Sequence, residues 1–145
     1  MKIGNNIESL SKDARYKSLK YRDIWRYLGY FWVLITVYVC LMPNPPSTPG
    51  IEFGDKLMHA IGYIGLFLWF SQIYHRKHHW RPAVGLILLG ISIEFAQSLT
   101  AYRSFEIADM FANTIGVLLG WLLAGTFISY IFMKIESFVF NAQNV

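Results

Sequence analysis

Apolar residues collect in four long runs along the chain, and short polar segments separate them. The runs are Tyr27–Met42, Leu57–Tyr74, Ala83–Leu99 and Met110–Met133. Each run is close to the roughly 20 residues that an α-helix needs to cross the hydrocarbon core of a bilayer. The pattern predicts an all-α, polytopic membrane protein built as a bundle of four transmembrane helices.

Composition agrees with this reading, because 54% of the residues are hydrophobic and only 15% are charged. A soluble domain usually carries about 25% charged residues. A basic segment precedes the first run, as in a signal peptide, but "MPNPPSTPG" follows that run instead of a small-residue cleavage site. We therefore expect the first run to remain as an uncleaved anchor.

Loop charges predict the orientation of the helices. Residues 1–26 and the loop His75–Pro82 are strongly basic, whereas the loops 43–56 and 100–109 carry more acids than bases. By the positive-inside rule, both termini should be cytoplasmic and the two acidic loops should lie outside. The chain then divides into a basic cytoplasmic tail (1–26, with an interfacial helix as an option), a four-helix membrane domain (27–133) and a short cytoplasmic tail (134–145).

Other polar features carry less information. The basic tail has no nucleic-acid-binding module beside it, so no nucleic acid partner is expected. Cys40 is the only cysteine and cannot form a disulfide within the chain. His75, His78 and His79 lie among cations, which disfavour a metal ion, so we interpret them as part of a solvated turn.

Three predicted helices each carry a pair of polar side chains spaced three or four residues apart, and each pair shares a helix face. Alternating helix directions place all three pairs near the outer end of the bundle. Ionisable groups inside a membrane almost always face the protein interior or a wet cavity. The sequence therefore predicts one outward-facing polar pocket, formed around the pairs Asp55–His59, Glu94–Gln97 and Asp109–Asn113.

Residue chemistry suggests roles in this pocket. Lys56 and Arg103 would bind phosphate, and His59 would act as acid or base, oriented by Glu94 or Asp109. A divalent cation among His59, Glu94 and Asp109 is a weaker variant whose spacing matches no known metal signature, so no metal or cofactor is expected. The candidate catalytic residues are His59, Glu94 and Asp109, and the candidate binding residues are Asp55, Lys56, Gln97, Arg103 and Asn113.

These motifs carry a family resemblance. The order "DKLMHAIGY", "EFAQ", Arg103 and "ADMFANTIGVLLGW" resembles the VanZ-like family of small bacterial membrane proteins, over about Val33 to Ala124, with the basic tail outside it. The resemblance implies a multi-pass protein of the bacterial cytoplasmic membrane. The family's namesake is associated with resistance to a lipid-bearing glycopeptide antibiotic at the cell envelope. It implies a fold and a site but no reaction, so whether the protein is an enzyme is left open.

Three hypotheses for function follow. In the first, the pocket recognises an anionic lipid or a lipid-linked cell-envelope component. Modification of that ligand is an option within this hypothesis, and so is an effect on glycopeptide-type antibiotic tolerance. In the second, the protein is a small proton-coupled transporter or exporter that acts as a dimer and uses Glu94. In the third, the pocket is an ion-pair clamp that fixes the helix arrangement.

The fourth run also contains small residues at every fourth position, which lets helices approach closely. We expect this stripe to pack within the bundle, with homodimerisation as the alternative. Its members are Ala112, Gly116, Gly120 and Ala124.

Overall fold

The computed structural model describes residues 19–43, 54–125 and 131–141. Within them, five α-helices follow one another, and a short 3-10 helix lies between the second and the third. The prediction of an all-α fold is confirmed for this part of the chain. The elements are α1 (Arg22–Leu41), α2 (Gly54–Ile73), the 3-10 helix (Arg76–His78), α3 (Trp80–Ser98), α4 (Ile107–Leu123) and α5 (Ile131–Asn141).

The fourth apolar run is not one helix, which corrects the predicted span Met110–Met133. Helix α4 ends at Leu123, where the N–H of Ala124 donates to Gly120 O at 2.8 Å. Gly125 follows, a residue type typical of helix ends. A separate helix begins at Ile131 and includes much of the predicted carboxyl tail. At the other end of the chain, α1 begins at Arg22, inside the segment assigned to the basic tail.

Helices α1 to α4 run alternately up and down. Residue numbers rise together along α2 and α4, since Gly116 lies against Ala60 and Gly120 against Ile64. Numbers run in opposite senses along α1 and α2, where Trp32 covers Gly65. One end of the bundle, here called the acidic end, therefore holds Asp55, Glu94, Glu106 and Asp109, and the opposite basic end holds Arg22, Arg76, Lys77 and Arg81.

The contact between α2 and α4 is the closest in the bundle. A Cβ at Gly116 would lie 2.4 Å from the carbonyl oxygen of Ala60, and one at Gly120 would lie 2.9 Å from Phe67 Cβ. Both glycines are buried, and Ala124 belongs to the core beside them. These stripe members thus pack inside the bundle, while Ala112 is half-buried.

Helix α1 packs on α2 through tryptophan rings that lie over glycines. Trp32 covers Gly65, Trp69 covers Gly29, and each ring comes within 2.9 Å of the position of the missing Cβ. The two rings also meet edge to face, with their centroids 5.6 Å apart. Only Gly29 of α1 is fully buried, so this seam fixes a helix that is otherwise exposed.

Helix α5 docks at the basic end against the start of α1. Phe132 stacks on Trp25 with ring centroids 4.1 Å apart. The Glu136 carboxylate accepts hydrogen bonds from the N–H of Lys20 (2.8 Å), the N–H of Tyr21 (3.1 Å) and Trp25 Nε1 (2.8 Å). A carboxylate in this position satisfies free N–H groups at a helix N-terminus and interacts favourably with the helix dipole.

By length and composition, α1 is the one helix in the described segments that could cross a membrane, with 20 residues and a mean hydropathy of 1.5. Helix α4 is apolar but has 17 residues. Large apolar side chains cover the outer faces of the bundle, including Leu34 (65% exposed), Leu88 (58%) and Leu122 (74%). By length and composition the described helices support one span, and the four-span topology and its orientation stay predictions.

The close packing of α2 on α4 predicts the effect of adding one methyl group. Gly116→Ala should lower the free energy of unfolding by about 1–3 kcal/mol, because the Cβ collides with backbone that cannot move independently. The control is Gly62→Ala, where an added Cβ meets no heavy atom within 4 Å. That variant should be neutral or more stable by about 0.4–1 kcal/mol. Thermal unfolding in detergent measures both, and equal stability of the two variants would contradict the packing.

Candidate functional site

Lys56 is the centre of an ion cluster at the acidic end. Its Nζ lies 2.8 Å from Asp55 Oδ2, 2.8 Å from Glu106 Oε2 and 3.1 Å from Asp109 Oδ1. Lys56 and Asp55 are in the first turn of α2, whereas Glu106 is the N-cap residue of α4 and Asp109 is in its first turn. These four residues, here called the Lys56 cluster, join the starts of the two central helices.

The cluster holds Lys56 as a cation. Lys56 and Asp55 both lie in the polar segment before the apolar run that begins at Leu57. Hydrogen bonds with Asp55 and then with Glu106 raise the pKa of Lys56, and the Lys56 hydrogen bond lowers the pKa of Asp55. Oxygen atoms of Asp55, Glu106 and Asp109 lie within 4.8 Å of one another, close enough to share a metal ion. The ammonium group of Lys56 already contacts all three, so it serves as their cation.

His59 lies one turn further along α2 and faces α4. Its Nε2 is 3.6 Å from Asp109 Oδ2, and its Nδ1 is 3.2 Å from Asn113 Oδ1. Both Asp109 and Asn113 are almost fully buried. Since both ring nitrogens face oxygen atoms of α4, the geometry suits a residue that orients its neighbours better than a free acid or base.

The two predicted site residues on α3 contact other parts of the chain. Glu94 is fully buried, and its Oε2 accepts the N–H of Glu106 at 3.1 Å, which anchors the loop before α4. Gln97 Nε2 donates to the carbonyl oxygen of Cys40 at 2.8 Å, in the last turn of α1. Neither side chain pairs with Lys56 or Arg103 in the described part of the chain, so Glu94 is not part of an ion-pair clamp there.

Several buried polar atoms without a hydrogen-bond partner in the described segments lie deeper between α2, α3 and α4. They include Tyr63 Oη, Asn113 Nδ2 and Glu94 Oε1. A Cβ at Gly90 would lie 3.1 Å from Asn113 Nδ2 and 3.2 Å from Tyr63 Oη. Glycine at position 90 therefore leaves room for these polar groups.

A cavity of about 260 Å³ opens between α1, α2 and the loop before α4. Its lining includes Arg103, His59 and Asp55. In residues 19–43, 54–125 and 131–141, no carboxylate forms an ion pair with the Arg103 guanidinium. This first cavity thus combines Arg103, which forms no carboxylate ion pair in the described segments, with the Asp55 carboxylate and an apolar wall that includes Trp32, Ile35, Val39 and Met58.

The structure brings Asp55, Lys56, His59, Asp109 and Asn113 into one connected network and leaves Arg103 beside the first cavity. Sequence reasoning did not assign Glu106 to the site, although its i, i+3 spacing from Asp109 is a signal that could have found it. It also did not assign a role to Tyr102, whose hydroxyl donates to Leu41 O at 2.9 Å.

The Lys56 cluster predicts a stability effect that depends on charge. Lys56→Met should lower the free energy of unfolding by about 1–3 kcal/mol, because three carboxylates lose their shared cation. Fully buried pairs cost about 3–5 kcal/mol to break, but Asp55 and Glu106 are about half exposed here. Lys56→Arg keeps the charge and should retain most of the stability in thermal unfolding.

Acid titration of the same variants provides a second measurement. The lowered pKa of Asp55 contributes stability that is present above its ordinary pKa and is lost as the pH falls. Lys56→Met should therefore lose less stability on acidification than the wild type. Identical acid profiles would mean that this ion pair does not contribute to folding.

The hydrogen bond that Glu94 accepts from Glu106 predicts that two substitutions of Glu94 differ in their free energy of unfolding. Glu94→Gln keeps an oxygen acceptor for the Glu106 N–H and should change the free energy of unfolding by less than about 1 kcal/mol. Glu94→Leu leaves that N–H without its acceptor and should cost about 1–3 kcal/mol. If Glu94→Gln is as unstable as Glu94→Leu in thermal unfolding, the negative charge of Glu94 has a structural partner after all.

Comparisons with known proteins agree with the motifs at this end of the bundle. The VanZ/LLP1 family pattern matches residues 5–130. The match includes most of the basic tail, which corrects the expectation that the tail lies outside the family resemblance.

An uncharacterized protein from Schizosaccharomyces pombe is 30% identical over 97 residues, which cover 63% of this chain and 56% of that protein. The chain thus spans about half the length of this relative, whose source is not bacterial. No solved structure matches the chain. Because the family match covers most of its length, the protein belongs to the VanZ/LLP1 family.

Proposed function

We propose that this protein is a polytopic membrane protein that binds an anionic amphiphile in the first cavity. The observation that carries the proposal is the environment of Arg103, a cation without a carboxylate partner in the described segments, beside a largely apolar cavity. Such a site offers a headgroup contact and an apolar surface at the same place. Ligand pockets generally combine an apolar lining with a few placed polar groups.

The membrane location is supported by the outer surface of the bundle and by its charge distribution. Apolar side chains face outward along α1, α3 and α4. The start of α1 and the end of α4 lie at the basic end, where Arg76, Lys77 and Arg81 are also found. The positive-inside rule then assigns the basic end to the cytoplasm and the first cavity to the outer leaflet.

The two residues predicted to bind phosphate differ in whether carboxylates already contact their charged groups. Lys56 is surrounded by three carboxylates, whereas Arg103 has no such partner among the described residues. A guanidinium group can bind phosphate oxygens through two parallel hydrogen bonds. Arg103 is therefore the proposed ligand of the anionic headgroup, and the Lys56 cluster acts as a structural clamp that holds α2 and α4 behind it.

The apolar wall accommodates a segment of a hydrocarbon chain. At about 260 Å³ the cavity lies below the usual range of roughly 300–1,000 Å³ for small-molecule pockets. The rest of the ligand would remain in the bilayer beside α1. The ligand class includes anionic phospholipids and polyprenyl phosphates such as lipid-linked cell-envelope precursors, and a change in glycopeptide tolerance would follow from the second type.

Recognition without a reaction is the form of this proposal that the geometry supports better. Both nitrogens of His59 face α4, and Glu94 is buried against the Glu106 backbone. His59 lines the cavity, but modification of the ligand would need one of its ring nitrogens to leave its α4 partner. Glu94 does not line the first cavity, so the geometry gives no support to its use as a proton carrier in transport.

Two substitutions test the headgroup contact and the apolar wall separately. Arg103→Gln should weaken binding of an anionic amphiphile by about tenfold or more, because a hydrogen bond to a charged group contributes about 1.5–3 kcal/mol. Gly62→Leu should block the cavity, since Gly62 lines it and an added Cβ there meets no heavy atom within 4 Å. Arg103→Lys is the matched control that retains the charge.

Native mass spectrometry of the purified protein with phosphatidylglycerol, a polyprenyl phosphate and phosphatidylcholine gives the affinities. A preference for phosphatidylglycerol or for the polyprenyl phosphate identifies the natural class of ligand. If Arg103→Gln and Gly62→Leu both bind all three probes as the wild type does, the first cavity is not the binding site.

A further inference from the structure

A second cavity lies at the basic end of the bundle, on the other side of α1. Its volume is about 300 Å³, and it lies between the first half of α1, the end of α2 and the start of α3. Trp32 lines the first cavity, and the next residue, Val33, lines the second. Its lining also includes Tyr30, Arg81 and Gly85.

Arg81 is the one charged residue that lines the second cavity. Its Nε is buried and has no hydrogen-bond partner in the described part of the chain, and no carboxylate there forms an ion pair with it. The guanidinium group lies 5.3 Å from the centre of the Trp80 ring, and this contact leaves its charge uncompensated. A ligand that complements a partly buried cation beside an apolar cavity is an anion attached to an apolar group.

The described residues at this end carry more cations than acids, and the Asp23 carboxylate there is paired with Arg26. Arg76 and Lys77 are exposed in the segment just before α3, so they add positive potential at this end. The Glu136 carboxylate, at the same end, already accepts hydrogen bonds from two backbone N–H groups and from Trp25 Nε1. Trp80 and Tyr30 are aromatic residues of the kind that collect at the level of lipid headgroups.

We infer that the second cavity binds an anionic phospholipid of the cytoplasmic leaflet, with its phosphate on Arg81 and part of one acyl chain between α1 and α3. Basic pockets between transmembrane helices on the cytoplasmic side are suited to such headgroups. The inference rests on the proposed membrane location but not on ligand binding in the first cavity. The protein would then hold one amphiphile at each end of α1.

The experiment isolates the second cavity by working in the Gly62→Leu background, where the first cavity is filled. The probes are phosphatidylglycerol and phosphatidylcholine, and native mass spectrometry in detergent measures binding of each to the full chain. The background protein should bind one phosphatidylglycerol and prefer it to phosphatidylcholine by about tenfold.

Three added substitutions separate charge, position and shape. Arg81→Gln should weaken the affinity for phosphatidylglycerol about tenfold and leave the affinity for phosphatidylcholine nearly unchanged. Gly85→Leu should abolish binding of both lipids, because Gly85 lines the cavity and an added Cβ meets no heavy atom within 4 Å. Lys77→Gln removes the same charge from the same end without lining the cavity, and should change either affinity by less than about threefold.

Two results would overturn the inference. If Lys77→Gln weakens phosphatidylglycerol binding as much as Arg81→Gln, the lipid responds to surface charge and not to a site. If Gly85→Leu still binds phosphatidylglycerol normally, the cavity is not where the lipid sits. Either result leaves the first cavity untouched, because its own test depends on Arg103 and Gly62 in the otherwise unchanged protein.

Discussion

The close approach of α2 and α4 is the constraint on which the rest of the structure depends. Gly116 allows the backbone at Ala60 to come so near that even one methyl group would not fit. This contact fixes the register of the two parallel helices. One turn away, the same register places His59 beside Asn113, and at the helix starts it places Lys56 beside Asp109. Packing of small residues thus determines which ionisable groups meet at the acidic end.

Much of this arrangement could be predicted from spacing. The i, i+4 pairs on α2 and α4 and the four-residue repeat of small residues both follow from helix geometry, which the sequence displays directly. The partner of each charge could not be predicted in the same way. Lys56 and Arg103 are both cations in polar segments, and only the fold reveals that three carboxylates surround the first and none pairs with the second in the described segments.

The end of α4 could not be predicted either, because apolar residues continue without a charge from Met110 to Met133. A hydropathy average over a window does not detect a turn whose residues are themselves apolar. The break at Ala124 and Gly125 is a local matter of backbone hydrogen bonds. Glu136 shows the same limit, since the sequence around a single acid gives no sign that its carboxylate will bind the two backbone N–H groups just before α1.

The glycines of the helices fall into two groups with different freedom to vary. At five of them an added Cβ would meet neighbouring atoms at 3.1 Å or less, so these positions hold the fold together: Gly29, Gly65, Gly90, Gly116 and Gly120. At Gly62 and Gly85 the space is open, and each of these positions borders one cavity. Substitution at these two sites can change the size of either cavity while helix packing stays the same. If the two cavities bind ligands as proposed, the scaffold can diverge in ligand preference, one cavity at a time, while the tightly packed glycines stay unchanged.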